Sequence, residues 1–115
     1  MIRKQLDHVE TSRAGDYHQA LFEGAVEGNE TDYLLLQRQF DLPDGGRCYV
    51  ETPDVNVCGH YRVRSAVLNR NCLTLEIADT SWEGFEVHFE TDDQSVARLG
   101  RILRRMFGRR LRVGN

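Results

Sequence analysis

Long apolar runs are missing from this chain of 115 residues. No stretch approaches the roughly 18 consecutive apolar residues of a membrane span, so a membrane is not expected as a partner. The start, Met1-Ile2-Arg3-Lys4-Gln5-Leu6-Asp7, is basic but has no apolar segment behind it. That is not the pattern of a secretory signal, and a cytoplasmic protein is expected. Cysteine is scarce. Cys48, Cys58 and Cys72 are odd in number and form no CxxC pair, so reduced, partly buried thiols are expected rather than a disulfide framework. Cys58-Gly59-His60 offers two metal ligands, but no second pair stands at zinc-site spacing. His8, His18 and His88 are scattered, so neither metal nor cofactor is expected.

Catalytic signatures are missing too. Asp44-Gly45-Gly46 is too short and too acidic for a phosphate loop. No GxSxG elbow and no HExxH occurs, and no serine has a histidine at a suggestive spacing. These absences favour a binding module over an enzyme. Repeats and low-complexity linkers are also lacking. With 40% apolar and 29% charged residues, the composition is that of one ordinary globular domain and argues against disorder.

Charge is present but uneven. Net charge is −3, yet residues 92–115 hold seven Arg against two Asp, leaving residues 1–91 at −8. The chain reads as an acidic body with a basic end. Within that end, Thr91-Asp92-Asp93-Gln94 resembles a capping box with Thr91 as N-cap. Val96, Leu99, Leu103 and Met106 then recur at helical spacing up to Gly108. One amphipathic helix is expected over 92–107, with a basic tail at 108–115.

Ahead of it, alternation of period two marks strands. The clearest runs are 61–67, 73–77 and 85–89, the first two joined by a hairpin at Asn69-Arg70-Asn71. Pro43-Asp44-Gly45-Gly46 is a turn between residues 33–40 and a short strand at 47–52. Weaker candidates at 3–11 and 17–26 flank Arg13-Ala14-Gly15-Asp16. The expected fold is α+β: an antiparallel meander of six or seven strands, with the helix on one face.

One strand is awkward for that picture. In Thr31-Asp32-Tyr33-Leu34-Leu35-Leu36-Gln37-Arg38-Gln39-Phe40, Leu34, Leu36 and Phe40 share one side, while Tyr33, Leu35, Gln37 and Gln39 share the other. Either the second side meets another part of the chain, or it meets another protein. Acidic groups gather nearby in sequence: Glu23, Glu27, Glu30 and Asp32 before the strand, then Glu51, Asp54, Asp79, Glu83, Glu86 and Glu90. They are either solvated surface charge or a surface that steers a basic partner. Trp82 sits among them, as a lid on the core or as an exposed anchor. The candidate partner-binding residues are Tyr33, Gln37, Glu51, Asp54, Asp79, Trp82 and Glu83. The arginines from Arg98 to Arg112 offer an alternative, a nucleic-acid-binding module on the helix. The acidic body and the lack of interleaved aromatics weigh against nucleic acid, and a solvated helix face is favoured.

Asp32-Tyr33-Leu34-Leu35-Leu36-Gln37-Arg38, then Cys48-Tyr49-Val50-Glu51, Cys58-Gly59-His60-Tyr61 and Asn71-Cys72-Leu73-Thr74-Leu75-Glu76-Ile77, stand in an order and spacing that resembles the bacterial immunity proteins of the immunity protein 10 family. The resemblance covers roughly residues 30–90. It implies an antitoxin that binds the effector domain of a cognate secreted polymorphic toxin in the cytoplasm and blocks its active site or substrate path. A nuclease, a nucleotide-modifying enzyme or a deaminase is the kind of toxin it implies.

Overall fold

The computed structural model describes residues 1–25, 31–41 and 44–114. The calls on Val26, Glu27, Glu30, Pro43 and Asn115 lie outside these residues. The described residues form ten strands: β1 (Ile2–Gln5), β2 (His8–Ala14), β3 (Tyr17–Ala25), β4 (Thr31–Gln39), β5 (Cys48–Glu51), β6 (Gly59–Tyr61), β7 (Val63–Asn69), β8 (Cys72–Ile77), β9 (Gly84–His88) and β10 (Leu111–Val113). One helix, α1 (Asp93–Phe107), and a single 3-10 turn, Gly108–Arg110, separate β9 from β10.

The α+β class holds, but the single meander does not. The strands form two five-stranded sheets, in the orders β1-β9-β8-β7-β10 and β2-β3-β4-β5-β6. The second is an antiparallel meander in chain order. The first has a meander, β7-β8-β9, at its centre. The two ends of the chain close its edges in parallel, β1 on β9 and β10 on β7. Alternation shows which side of a strand is buried, but not which sheet the strand joins. Residues 3–11 therefore read as one strand although the chain changes sheet at Leu6-Asp7. Residues 61–67 likewise conceal a crossing at Arg62. The ladder slips between Val63 and Ser65, and the phase of β7 inverts. Val63 is buried, but beyond the slip Ala66 and Leu68 point into the core, so the alternation that begins at Tyr61 does not continue in phase.

Each sheet has one apolar face, and the two faces bury each other. Phe22, Leu34, Leu36 and Val50 from one sheet join Leu73, Leu75, Phe85 and Val87 from the other in a single buried cluster. The rings of Phe22 and Phe89 meet across it at 5.9 Å. Lys4 on β1 and Asp32 on β4 add an ion pair of 2.6 Å between the sheets. The helix does not lie flat on one sheet. It runs along one side of the sandwich, touching β2 and β3 of one sheet and β7 and β10 of the other. Leu99, Ile102, Leu103, Met106 and Phe107 are its buried stripe.

The helix ends are fixed locally. The N-cap is Asp92, one residue later than expected, and its carboxylate accepts from the Ser95 amide at 2.7 Å. That backbone hydrogen bond, first among its causes, holds the Asp92 carboxyl below its ordinary value. At the other end, Arg38 of β4 donates to the Met106 carbonyl at 2.6 Å and to both oxygens of Asp44 at 2.5 and 3.1 Å. One arginine thus ties a strand, a turn and the carbonyl end of the helix dipole together. The expected basic tail is structured: Arg104 donates to the carbonyls of Gly108 and Leu111, and β10 pairs with β7. None of the described helices is long and apolar enough to cross a membrane.

The face assignment has a direct check. In urea denaturation, Phe22→Ala is expected to cost about 3–5 kcal/mol by opening a cavity between the sheets. Leu21→Ala, one residue away on the outer side, should cost about 1 kcal/mol or less. Equal losses would contradict the assignment.

Candidate functional site

The register of the second sheet brings one set of side chains together on its outer face. Tyr17 lies opposite Gln39, Gln19 opposite Gln37, Leu21 opposite Leu35 and Glu23 opposite Tyr33. On the far side of β4, Leu35 faces Glu51 and Gln37 faces Tyr49, and Tyr49 faces His60 in turn. Leu21 and Leu35 are half-buried and make an apolar centre. Around it stand tyrosines, glutamines, a carboxylate and a histidine. Among the described residues, no other strand or helix packs over this face. The polar-and-apolar second side of β4 is therefore the outer side of a sheet whose inner side already meets the core.

These side chains are held in place by one another. Tyr33 donates to Glu51 Oε2 at 3.1 Å and Tyr49 donates to Glu51 Oε1 at 2.9 Å. Both oxygens of one carboxylate are thus oriented, and each keeps a lone pair for an outside donor. Gln37 donates to Gln19 Oε1 at 2.8 Å, and the Tyr17 hydroxyl donates to the same oxygen. The Tyr49 ring lies 5.1 Å from His60. Burial first, and then the Glu51 hydrogen bond, raise the Tyr33 hydroxyl above its ordinary value of 10.0; for Tyr49 the Glu51 hydrogen bond is the first cause.

Of the seven residues singled out in the sequence, Tyr33, Gln37 and Glu51 meet on this face. Asp54 is exposed in the loop after β5, where its carboxylate accepts from the Asn56 amide at 3.0 Å. Asp79, Trp82 and Glu83 lie in the β8–β9 connection, where Asp79 and Glu83 are exposed and take positive φ of 62° and 68°. Such backbone is uncommon outside glycine and costs on the order of 1 kcal/mol or more per residue. Gly84 closes the connection, and only glycine fits there: a Cβ would stand 1.8 Å from the Leu75 carbonyl oxygen. Tyr61 joins the two loops. Its hydroxyl donates to the Val57 carbonyl at 2.7 Å, and its ring meets Trp82 edge-on at 5.3 Å. Trp82 also contacts Phe85 at 5.2 Å and is half-buried, so it is a lid on the core with one side left open.

Tyr17, Gln19, Leu21, Tyr49 and His60 belong to the same face and were not singled out in the sequence. The alternation of residues 17–26 puts the first three on one side of β3, but only the cross-strand register places them beside Tyr33 and Gln37.

All three cysteines are free, and burial pushes the Cys48 thiol up to about 12, which leaves it inert. His8, Glu10 and Glu23 bring three ligand atoms within 4.8 Å of one another at the β2–β3 end of the outer face. His8 and Glu10 are largely exposed, at 61% and 62% of their side chains, and nothing dry encloses the group. The chain matches no protein-family model, no curated protein and no solved structure.

The tyrosine–carboxylate pairing has a titration signature. Tyr33 and Tyr49 should ionise above pH 10, read from tyrosine ring NMR shifts, and Glu51→Gln should lower the Tyr49 midpoint more than that of Tyr33. Because the folded-state values are raised, the linked stability is complete below pH 10 and is lost as pH rises through them. Unmoved midpoints in Glu51→Gln would contradict the pairing.

Proposed function

We propose that the chain is a cytoplasmic immunity protein, a member in kind of the immunity protein 10 group it resembles. It would bind a cognate secreted bacterial toxin domain and neutralise it by stoichiometric occlusion. The observation that carries this reading is the outer face of β3, β4 and β5: an apolar centre ringed by tyrosines and glutamines, with Glu51 held by two hydroxyls.

Tyrosine offers large, stiff contact area with a polar tip, and such residues dominate binding energy at interfaces. Hydroxyls and amides already paired with one another lose little freedom when a partner arrives. Glu51, Asp54, Asp79 and Glu83 supply negative charge across the face and its flanking loops. Toxins that act on nucleic acid or nucleotides present basic clefts, where carboxylates take the places of phosphates. The acidic body accelerates encounter with such a cleft. A standard interface of about 800 Å² per partner takes roughly an eighth of the 6859 Å² surface. The face needs no catalytic group to act: an enzyme whose cleft is filled is inactive.

The test begins with the protein that co-purifies with the chain from its native host. Its reading frame should be toxic when expressed alone and harmless when the chain is co-expressed. Glu51→Ala with Tyr33→Ala should raise the dissociation rate by at least about tenfold, at least about 1.4 kcal/mol, and restore toxicity. Combined Asp54→Ala, Asp79→Ala and Glu83→Ala should slow association and flatten its salt dependence. Full neutralisation by all of these variants would overturn the reading. Trp82→Ala is a poorer probe, since Trp82 also packs on Tyr61 and Phe85.

A further inference from the structure

A second surface lies at the edge of the same sheet and is basic. Sheet edges are usually short or otherwise blunted, because unpaired backbone groups recruit other strands. Three of the four edges here follow that rule: β1 has four residues, β6 three and β10 three. The fourth, β2, has seven. Beside it runs α1, which touches it, and two hollows of about 250 and 310 Å³ open along their seam. Val9 and Thr11 from the inner side of β2 and Glu10 and Ser12 from its outer side all line these hollows. Only a groove at the strand's edge touches both sides of it. Positions 9–12 meet Ser95 and Arg98, and positions 11–13 meet Arg98, Arg101 and Arg105, so strand and helix run alongside each other.

The groove is lined by four arginines, Arg13, Arg98, Arg101 and Arg105, and all four are exposed. None makes a hydrogen bond or ion pair among the described residues. Arg104 on the same helix, by contrast, serves the backbone of the following turn. Along the helix axis, Arg98, Arg101 and Arg105 fall at about 4.5 and 6 Å intervals. Same-side residues of an extended strand recur every ~6.7 Å. Long arginine side chains bridge that small mismatch.

We propose that this groove binds an extended acidic segment of a partner protein. The segment adds as a further strand to the edge of β2 that no described strand pairs with, and sets alternate carboxylates against Arg98, Arg101 and Arg105, with Arg13 across from them. Backbone pairing supplies affinity and the arginines supply selectivity, as in other strand additions. A nucleic acid fits less well. No aromatic ring lines the groove for base stacking. Glu10 stands at one end and Asp92 near Arg98, and a uniformly charged backbone meets both. A peptide places uncharged residues there.

The probe is a short fluorescein-labelled peptide in which Glu alternates with Thr, titrated into the full chain at low salt and read by anisotropy. Binding is expected, with slowed exchange at the alternate β2 amides that point away from β3 and unchanged exchange at those already paired with it. The double variant Arg101→Gln, Arg105→Gln should weaken it by at least about tenfold, with an unchanged melting curve because both side chains are exposed. A peptide carrying proline at two inner positions should lose binding too, since it lacks ladder donors. Absent binding to the native chain overturns the proposal. Equal binding of the proline peptide reduces the groove to a charged patch and also overturns it. Tighter, arginine-dependent binding of oligothymidine assigns the groove to nucleic acid instead. A dimer whose β2 amides are already protected without peptide assigns the edge to a second copy.

Discussion

The structure depends on one constraint: neither sheet can bury its apolar face except against the other. Phe22, Leu34, Leu36 and Val50 on one side, and Leu73, Leu75, Phe85 and Val87 on the other, form one cluster that α1 completes from the side. At about 25 cal/mol per Å² of apolar area, such a shared layer is the main source of stability. It also decides which faces remain open. Each sheet has spent its apolar face on the core, so whatever the outer faces carry is left for water or for a partner.

The helix links this core to both candidate surfaces. Its buried stripe closes the side of the sandwich, and Arg38 pins its last turn to β4, the strand that also carries Tyr33, Leu35 and Gln37. Its opposite side presents Arg98, Arg101 and Arg105 to the edge of β2. The acidic, tyrosine-rich face and the basic groove therefore belong to the same sheet, one on its outer side and one at its rim. That arrangement explains the uneven charge along the chain. The basic residues near the C-terminus serve a helix end and a groove, while the carboxylates of the body are spread over the outer faces of both sheets, the loops and the ion pairs of Lys4 and Arg38.

Much of this was legible in the sequence, because it is local. Leu73, Leu75 and Ile77 marked β8, Asn69-Arg70-Asn71 marked its hairpin, and Leu99, Leu103 and Met106 marked the buried side of the helix. What was not legible is non-local. The parallel pairing of β1 with β9 and of β10 with β7 joins residues from distant parts of the chain, and no pattern in either strand names its partner. The crossing at Arg62 hides inside an unbroken alternation over 61–67, and the slip between Val63 and Ser65 that puts Ala66 and Leu68 in the core leaves no mark in it. For the site, chemistry alone picked out Tyr33, Gln37 and Glu51. Tyr49, Gln19 and Tyr17 required register, since a tyrosine gains its role here from the residue across the ladder. The β8–β9 loop was readable as acidic with one tryptophan, but its positive-φ backbone at Asp79 and Glu83 was not.

The central proposal is that the outer face of β3–β5, with the loops at 52–58 and 78–83, receives a partner protein, proposed above to be a toxin domain. Chemical-shift mapping tests it most directly, by titrating the isotope-labelled chain with whatever protein co-purifies with it from its native host. The account predicts shifts concentrated at Tyr33, Leu35, Gln37, Tyr49 and Glu51 and extending to Asp54, Asp79 and Glu83. Shifts confined to the outer face of the other sheet, around Thr74, Glu76 and Glu86, or to the β2–α1 groove alone, would contradict it.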